Sequence, residues 1–167
     1  MPKDLKMTHF DQRGNPRMVD VGDKEATHRQ AVAEGFVYMS QACLDAIQGA
    51  SAKKGDVLMT AQLAGIQGAK RTSDLIPLCH PLPLDGVDVE ISPGVFHGDR
   101  PACRIQSRVS SHWRTGVEME ALTAVMAAAL TVYDMLKGMD RSIQIDGVRL
   151  LSKTGGRTKD WNATLCP

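Results

Sequence analysis

A long alanine-rich helix is the element that most constrains how this chain can fold. Residues 115–135 place apolar side chains at helical spacing, and Gly138 supplies a stop signal shortly afterwards. Its alanine-rich middle allows another element to approach it closely. A helix with such a broad apolar face needs a second layer of structure to cover it. A chain of 167 residues is long enough for one domain around this helix.

The other predicted elements are strands and helices in a mixed order. Strands are predicted over residues 27–40, 87–91, 103–109 and 142–151, and helices over 41–48 and from Asp56 toward Lys70. Pro93-Gly94 is predicted as a turn between two strands. This order predicts an α+β fold, an antiparallel sheet with helices on one face. It is ferredoxin-like if one early helix is an insertion, and the other sheet face then favours oligomerisation.

Composition narrows the class of protein. The 20 basic and 19 acidic side chains nearly cancel, so neither a nucleic-acid nor a membrane partner is predicted. The N-terminus has no apolar signal core, and no apolar run is expected to reach the length of a membrane span. The four cysteines form no C-x-x-C pair, so neither a zinc ribbon nor a thioredoxin-like motif is predicted. Because nothing else points outside the cell, reduced thiols and a cytoplasmic location are expected.

Two short segments carry side chains suited to an anionic ligand. Lys54 precedes Gly55 and Asp56 at a predicted helix start, a position that suits a phosphate, although a solvated turn explains the same spacing. His80 lies in a proline-rich segment, where it either donates to an anion or is a buried structural histidine. Cys79 and His80 are not predicted to bind zinc, because adjacent side chains project oppositely.

Carboxylates lie at both ends of the long helix. Thr115 and Glu118 have the spacing of a capping box, which explains Glu118 structurally. Glu120 has no such role and either binds donors on a purine or pterin ring or complements the helix dipole. Asp134 and Lys137 share one face near the other end, where a surface ion pair is the ordinary interpretation. A proton-transfer role for the lysine requires burial to lower its pKa.

Specific motifs follow one another along the chain. They are MVDV at 18–21, KGDV at 54–57, AGIQ at 64–67, AKRT at 69–72, DLIPLCHPL at 74–82, TGVEMEALT at 115–123, YDM at 133–135 with Lys137, and VRLL at 148–151. In wording and order they resemble the cyclic pyranopterin monophosphate synthase family. The resemblance spans residues 18–156 and predicts one catalytic domain there. The polar residues at the two ends predict a flexible arm over 1–17 and a polar tail over 157–167.

The resemblance implies a fold, an assembly and a reaction. Family members are α+β domains with a ferredoxin-like core, assembled as hexamers that are trimers of dimers. Their substrate is 3′,8-cyclo-7,8-dihydroguanosine 5′-triphosphate. They rearrange it to cyclic pyranopterin monophosphate and release pyrophosphate, a lyase step of molybdenum cofactor biosynthesis. No resident cofactor is implied, although magnesium can accompany the triphosphate.

The same resemblance assigns roles to individual residues. The catalytic positions match Asp134, Lys137 and Lys54. The substrate-binding positions match Leu78, Cys79, His80, Met119, Glu120, Glu118, Arg29, Asp20 and Lys153. Two positions depart from the family pattern: Arg114 stands where lysine is common, and Ser73 replaces a bulkier residue.

Two non-enzymatic classes compete with this interpretation. A silent pterin- or nucleotide-binding module would keep the cations but would not need the pair Asp134 and Lys137. A purely structural assembly subunit would leave the loop cations unexplained. Retention of Lys54, His80 and that pair together favours the enzyme.

Overall fold

The computed structural model describes residues 9–49, 55–156 and 160–163. Lys54 lies outside these ranges, as do parts of the predicted N-terminal arm and C-terminal tail. The strands are β1 Thr27–Tyr38, β2 Gly86–Phe96, β3 Arg100–Trp113, β4 Gln144–Thr154 and β5 Trp161–Asn162. The helices are α1 Gln41–Gln48, α2 Val57–Lys70, α3 Thr72–Leu75 and α4 Glu118–Leu136.

The sheet is antiparallel, and its strand order is β2-β3-β1-β4-β5. The four long strands with α2 and α4 form the β-α-β-β-α-β arrangement, in which α1 is an addition between β1 and α2. The apolar residues of α1, α2 and α4 share one core with one face of the sheet. The predicted α+β fold, with helices on one face of an antiparallel sheet, is therefore confirmed.

Helix α4 is the centre of this core. It packs against α2 and against three strands, and its alanines allow the close approach expected from the sequence. At Gly68 in α2, a Cβ atom would lie 2.6 Å from the Cβ of Ala127 in α4. A side chain larger than hydrogen at Gly68 would therefore push the two helices apart.

The same helix has the length and composition of a membrane span, unlike any other helix of the described ranges. The prediction that no apolar run reaches membrane-spanning length is therefore wrong for α4. Its buried residues include Ala121, Val125, Ala129 and Val132, and they face α2 and the sheet. Core helices pass the same test of length and composition, and 44% of this apolar window is buried in the core.

The predicted turn at Pro93-Gly94 is wrong. Both residues lie within β2, where Pro93 pairs with Cys103 of β3. Because β2 is the edge strand, a proline whose nitrogen faces away from β3 loses no ladder hydrogen bond. The chain reverses instead between β2 and β3, where His97 and Asp99 have positive φ angles of 49° and 68°.

The predicted capping box is also wrong. Helix α4 begins at Glu118, and the capping residue Val117 makes no side-chain capping bond. The Glu118 carboxylate instead accepts a hydrogen bond from Lys153 Nζ at 2.9 Å. By contrast, Asp56 caps α2 as predicted, because its side chain accepts from the Met59 amide.

The two ends of the chain contain structure that the sequence analysis did not predict. Within the expected flexible arm, Phe10 bridges to Pro16, and Asp11 accepts from the backbone of a tight turn. Within the expected polar tail, β5 pairs with β4 at Lys153 and Ser152. Two residues are too short a strand to carry a period-two signal.

The sheet face away from the helices carries a buried ion network. Glu34 of β1 is 3% exposed, and its two carboxylate oxygens accept four hydrogen bonds of 2.8–3.0 Å from Arg104 and Arg149. Each arginine donates through two nitrogens to one oxygen. The network ties the neighbouring strands β3 and β4 to β1.

The replacement Glu34→Gln is expected to lower the free energy of unfolding by about 2–3 kcal/mol. Glutamine removes the negative charge and leaves both guanidinium groups without their partner at the centre of the sheet. Urea denaturation followed by circular dichroism measures the loss. Stability equal to wild type would show that the network contributes little.

Candidate functional site

Two adjoining cavities open at the end of the sheet where α4 begins. The polar cavity has a volume of about 570 Å³ and the apolar cavity about 730 Å³. They share a wall formed by Lys24, Thr115, Gly116 and Glu118. Thr115 and Gly116 belong to the connection between β3 and α4, so the N-terminus of a 19-residue helix faces this wall. The amide groups and dipole of such a helix end favour a negatively charged ligand.

Cations surround the polar cavity. They are Lys24, Arg29, Arg114 and Lys153, and the acidic side chains are Asp23, Glu25 and Glu118. Arg29 and Lys153 lie close together because β1 pairs with β4, which brings the start of β1 next to the end of β4. The Lys153 ammonium bonds Glu118 across the cavity, and Arg29 Nε donates to the Trp113 carbonyl at 3.3 Å. The arrangement suits an anion that bears several charges.

A glycine pair forms one rim of the polar cavity. Gly155 and Gly156 have φ angles of 87° and 90°, and they directly follow β4. A Cβ atom at Gly156 would clash with the Arg29 guanidinium. Glycine at this position therefore lets the backbone turn while Arg29 lies directly against it.

The segment after α3 forms the wall of the apolar cavity. Leu78, Cys79 and His80 line it together with Val19, Val21 and Met119. His80 Nε2 lies 2.8 Å from the Val19 carbonyl oxygen, so this nitrogen carries the proton and donates. The bond fastens the proline-rich segment to the chain before β1. Leu78, Cys79, His80, Met119 and Glu118, which were predicted as neighbours in a pocket, are all brought together here.

Half-buried Cys79 on this wall pairs with the buried carboxyl of Glu120. Cys79 Sγ donates to Glu120 Oε1 at 3.6 Å. Burial, followed by the charge and hydrogen bond of Glu120, raises the pKa of the Cys79 thiol to about 11. Burial also raises the pKa of Glu120. Because a thiol is nucleophilic only as its thiolate, Cys79 serves this site as a neutral contact group.

Asp20 lies beside the apolar cavity rather than on its surface. Its neighbours Val19 and Val21 line the cavity, while its own carboxylate accepts from the Gly22 amide at 2.8 Å. In the single chain, Asp20 therefore shapes the turn that follows it.

The predicted catalytic pair lies at the opposite end of α4. Asp134 and Lys137 form an ion pair at 2.5 Å, with side chains 60% and 53% exposed. Asp134 is sixteen residues beyond Glu118, which corresponds to about 24 Å along the helix. The hydrogen bond and charge of Asp134 raise the pKa of Lys137. The condition set for proton transfer, a lysine pKa lowered by burial, is therefore not met within one chain.

Two cavity residues were missed as binding groups. Lys24 lies on the wall shared by both cavities, yet the run Asp23-Lys24-Glu25 matches no binding motif. Arg114 lines the polar cavity, although the sequence analysis above named it only as a departure from the family pattern. A signal existed for Arg114, since it directly precedes the TGVEME motif.

No three His, Cys, Asp or Glu side chains among residues 9–49, 55–156 and 160–163 are grouped as ligands for a metal ion. Cys43, Cys79 and Cys103 are free thiols. The acidic side chains around the polar cavity therefore do not by themselves form a metal cage.

Comparison with known proteins places the site in a family. The model of the MoaC family matches residues 18–156. A protein of Dinoroseobacter shibae is 53% identical over 157 residues, covering 94% of this chain and 98% of the relative. Proteins of Nostoc sp. and Rhodospirillum rubrum are each 56% identical, covering 93% and 95% of this chain and 90% and 93% of the relatives. All three relatives carry the name cyclic pyranopterin monophosphate synthase.

Proposed function

This chain belongs to the MoaC family, and from that premise we propose that it forms cyclic pyranopterin monophosphate, a step of molybdenum cofactor biosynthesis. The observation that carries the proposal is 53–56% identity with proteins of that name along nearly the whole chain. The family model matches residues 18–156, a range that contains helix α4, the pair Asp134 and Lys137, and all but one of the residues that line the two cavities. The enzyme is a lyase.

The substrate is a cyclised GTP derivative, 3′,8-cyclo-7,8-dihydroguanosine 5′-triphosphate. Its triphosphate fits the polar cavity, where Lys24, Arg29, Arg114 and Lys153 offer positive charge. The same cations stabilise the negative charge that develops as pyrophosphate departs. Magnesium bound to the triphosphate would be held mainly by phosphate oxygens, with Asp23 or Glu25 as additional oxygen ligands.

The heterocycle fits the apolar cavity next to it. Leu78 and Met119 supply apolar contact, and the wall shared with the polar cavity lets one ligand span both. Cys79 and His80 face the heterocycle from the proline-rich segment, whose extended backbone is fixed by the bond from His80 to the Val19 carbonyl. Glu120 supports this wall from behind through Cys79.

Proton transfer is assigned to Asp134 and Lys137, together with Lys54. Ring opening and closure need a group that accepts a proton and a group that donates one. Because Asp134 and Lys137 lie at the far end of α4, we place them in the site of a neighbouring copy. A second chain that brings its α4 end to these cavities completes the site, and entry into a desolvated interface then lowers the pKa of Lys137.

The assembly we propose is a hexamer built as a trimer of dimers, in the cytoplasm. Exposed apolar side chains on the helical layer, among them Leu63 of α2 and Leu130 of α4, are 63% and 55% exposed in the single chain. Burial of such residues between copies would stabilise an assembly. Sedimentation equilibrium of the purified protein measures its stoichiometry.

The test of the function is turnover of the cyclised GTP derivative. The expected result is a product with the mass of cyclic pyranopterin monophosphate and one pyrophosphate released per product. A silent pterin- or nucleotide-binding module, the competing hypothesis, would bind the compound and release no pyrophosphate. That outcome in a folded, assembled protein would reject the enzymatic function.

A further inference from the structure

A short segment of residues 160–163, the C-terminal return, folds back onto the end of β4. Within it, Trp161 of the two-residue strand β5 pairs with Lys153. On the other side of β4, Lys153 pairs with Ala31 of β1. The backbone of Lys153 is therefore held from both sides, at a residue whose side chain lines the polar cavity.

Asp160 begins the C-terminal return and contacts the glycine pair at the rim of the polar cavity. Its Oδ1 accepts a hydrogen bond from the Gly155 amide at 3.0 Å. A Cβ atom at Gly155 would clash with the His28 carbonyl oxygen. One at Gly156 would clash with the Arg29 guanidinium. Asp160 thus fixes a turn that lies directly against the start of β1 and against Arg29.

The C-terminal return contributes little apolar area to the core of this chain. Asp160, Trp161 and Asn162 are exposed. Strand β4 is already paired with β1 along its length. The hydrogen bonds of the return are concentrated at the end of β4, where the Ala163 amide also donates to the Leu151 carbonyl at 2.7 Å. Its contacts therefore order the end of β4 next to the polar cavity.

We propose that Asp160 is a positioning residue for the polyphosphate end of the substrate. Through the Gly155 turn it holds Arg29 in place, while β5 holds the backbone of Lys153. The two cations lie on neighbouring strands and are presented together to one anion. This role rests on the proposed function, because it assigns the polar cavity to the triphosphate. It extends the site beyond residue 156, where the match to the family model ends.

The sign of the charge separates positioning from electrostatic attraction. Asp160 is acidic, so its charge by itself weakens the binding of a nearby anion. Any benefit to binding must come through the hydrogen bond that Asp160 accepts. Asp160→Asn removes the charge and keeps an oxygen that accepts from the Gly155 amide, whereas Asp160→Ala removes both. The two variants therefore measure charge and geometry separately.

The first test measures the binding of inorganic tripolyphosphate to the full-length protein by isothermal titration calorimetry. Asp160→Ala is expected to raise the Kd by about three- to tenfold, the effect of losing one hydrogen bond that orders the cations. Asp160→Asn is expected to bind at least as tightly as wild type, within about twofold. A Kd of wild type or of Asp160→Asn equal to that of Asp160→Ala overturns the proposal. Failure of wild type to bind tripolyphosphate overturns it as well, because the polar cavity is then not a polyphosphate site.

The matched control is Asp146→Ala, at the other end of the same strand. Asp146 is also exposed, and its carboxylate also accepts from the amide of a glycine with positive φ, Gly147. It lies outside both cavities. The Kd of this variant for tripolyphosphate is expected to equal that of wild type. A rise as large as that of Asp160→Ala would show that any loosened turn of β4 weakens binding, and the proposal would fail.

A measurement on the unaltered protein covers the case in which Asp160→Ala fails to fold. Hydrogen exchange of wild type, resolved to single residues, is expected to show protected amides at Gly155 and Ala163, since both donate within the C-terminal return. Tripolyphosphate should slow the exchange of the Gly155 amide further. Exchange of that amide at the rate of an unstructured peptide overturns the proposal.

Steady-state kinetics separates positioning from a merely structural role. Asp160→Ala is expected to raise KM for the cyclised GTP derivative by about the same factor as the Kd, with a smaller change in kcat, and Asp160→Asn should restore KM. A lowered Tm with unchanged Kd and KM would reject the positioning role. Because the calorimetry uses no cyclised substrate, an absence of turnover in wild type rejects the proposed function and leaves the tripolyphosphate result standing.

Discussion

Lys137→Ala is expected to lower kcat by about 10²- to 10⁴-fold, the contribution typical of a general acid or base. The same change is expected to leave the free energy of unfolding close to that of wild type, because the side chain is 53% exposed and its ion pair with Asp134 lies at the surface. A large loss of rate with no loss of stability is the signature of a residue retained for chemistry. Steady-state kinetics and chemical denaturation of the same preparation provide both numbers.

Two control variants sharpen this result. Arg141→Ala removes an exposed cation four residues after Lys137, outside the quoted motifs and both cavities, and should leave kcat unchanged. Lys137→Arg keeps a cation beside Asp134 but replaces the ammonium with a guanidinium that does not give up its proton, so its rate should also collapse. A folded Lys137→Ala protein that retains most of the wild-type rate would remove this lysine from the mechanism. The resemblance to the family predicts the same loss for Lys54→Ala.

The fold was largely predictable because its long elements carry clear periodic patterns. Helix α4 has an apolar face around Ala121 and Val125. In β2, the exposed side chains of residues 88 and 90 alternate with Val89 and Ile91, which face the core. The errors occurred where tertiary context decides. Pro93 is acceptable in β2 only because β2 is an edge strand, a fact that local sequence does not contain.

The start of α4 shows that a sequence motif does not decide between a local and a distant hydrogen-bond partner. Glu118 has the correct spacing to reach back to Thr115. Its carboxylate instead accepts a hydrogen bond from the Lys153 ammonium of β4 at 2.9 Å. The pairing of β1 with β4 brings Lys153 to that point, from a position thirty-five residues later in the chain. A charge-assisted bond across the cavity replaces the local bond to the helix end.

The candidate site was predicted in its parts but not in its geometry. The motifs identified the wall around Cys79 and His80 and the start of α4, which are in contact. The predicted helix already placed Asp134 at the end away from Glu118, about 24 Å along the axis, but the motifs did not show that the cavities lie only at the Glu118 end. Lys24 was overlooked for a related reason: only the folded chain shows that it lies on the wall between two cavities.

That separation makes subunit complementation the decisive experiment on the site. Lys153→Ala disables the polar cavity at one end of α4, and Asp134→Asn disables the predicted catalytic pair at the other end. Each variant alone is expected to be inactive. If a site combines the cavities of one chain with the C-terminal end of α4 from its partner, mixing the two inactive variants should restore activity.

The expected recovery has a defined size and a defined control. After full subunit exchange of an equimolar mixture, roughly one site in four combines an intact Lys153 with an intact Asp134, because each of its two chains carries the required intact residue about half of the time. A two-fold interface repeats the same contact in both directions, so a mixed pair of chains has one restored site and one site altered twice. A mixture of Asp134→Asn with Lys137→Ala should stay inactive, since both changes affect the same end of α4 and every site has lost one member of the pair. Exchange is verified by mass spectrometry of isotopically labelled subunits. If exchange is complete and the first mixture also stays inactive, the two ends do not meet across chains, and the proton-transfer role of Asp134 and Lys137 fails with them, because within one chain the helix itself holds them apart from the cavities.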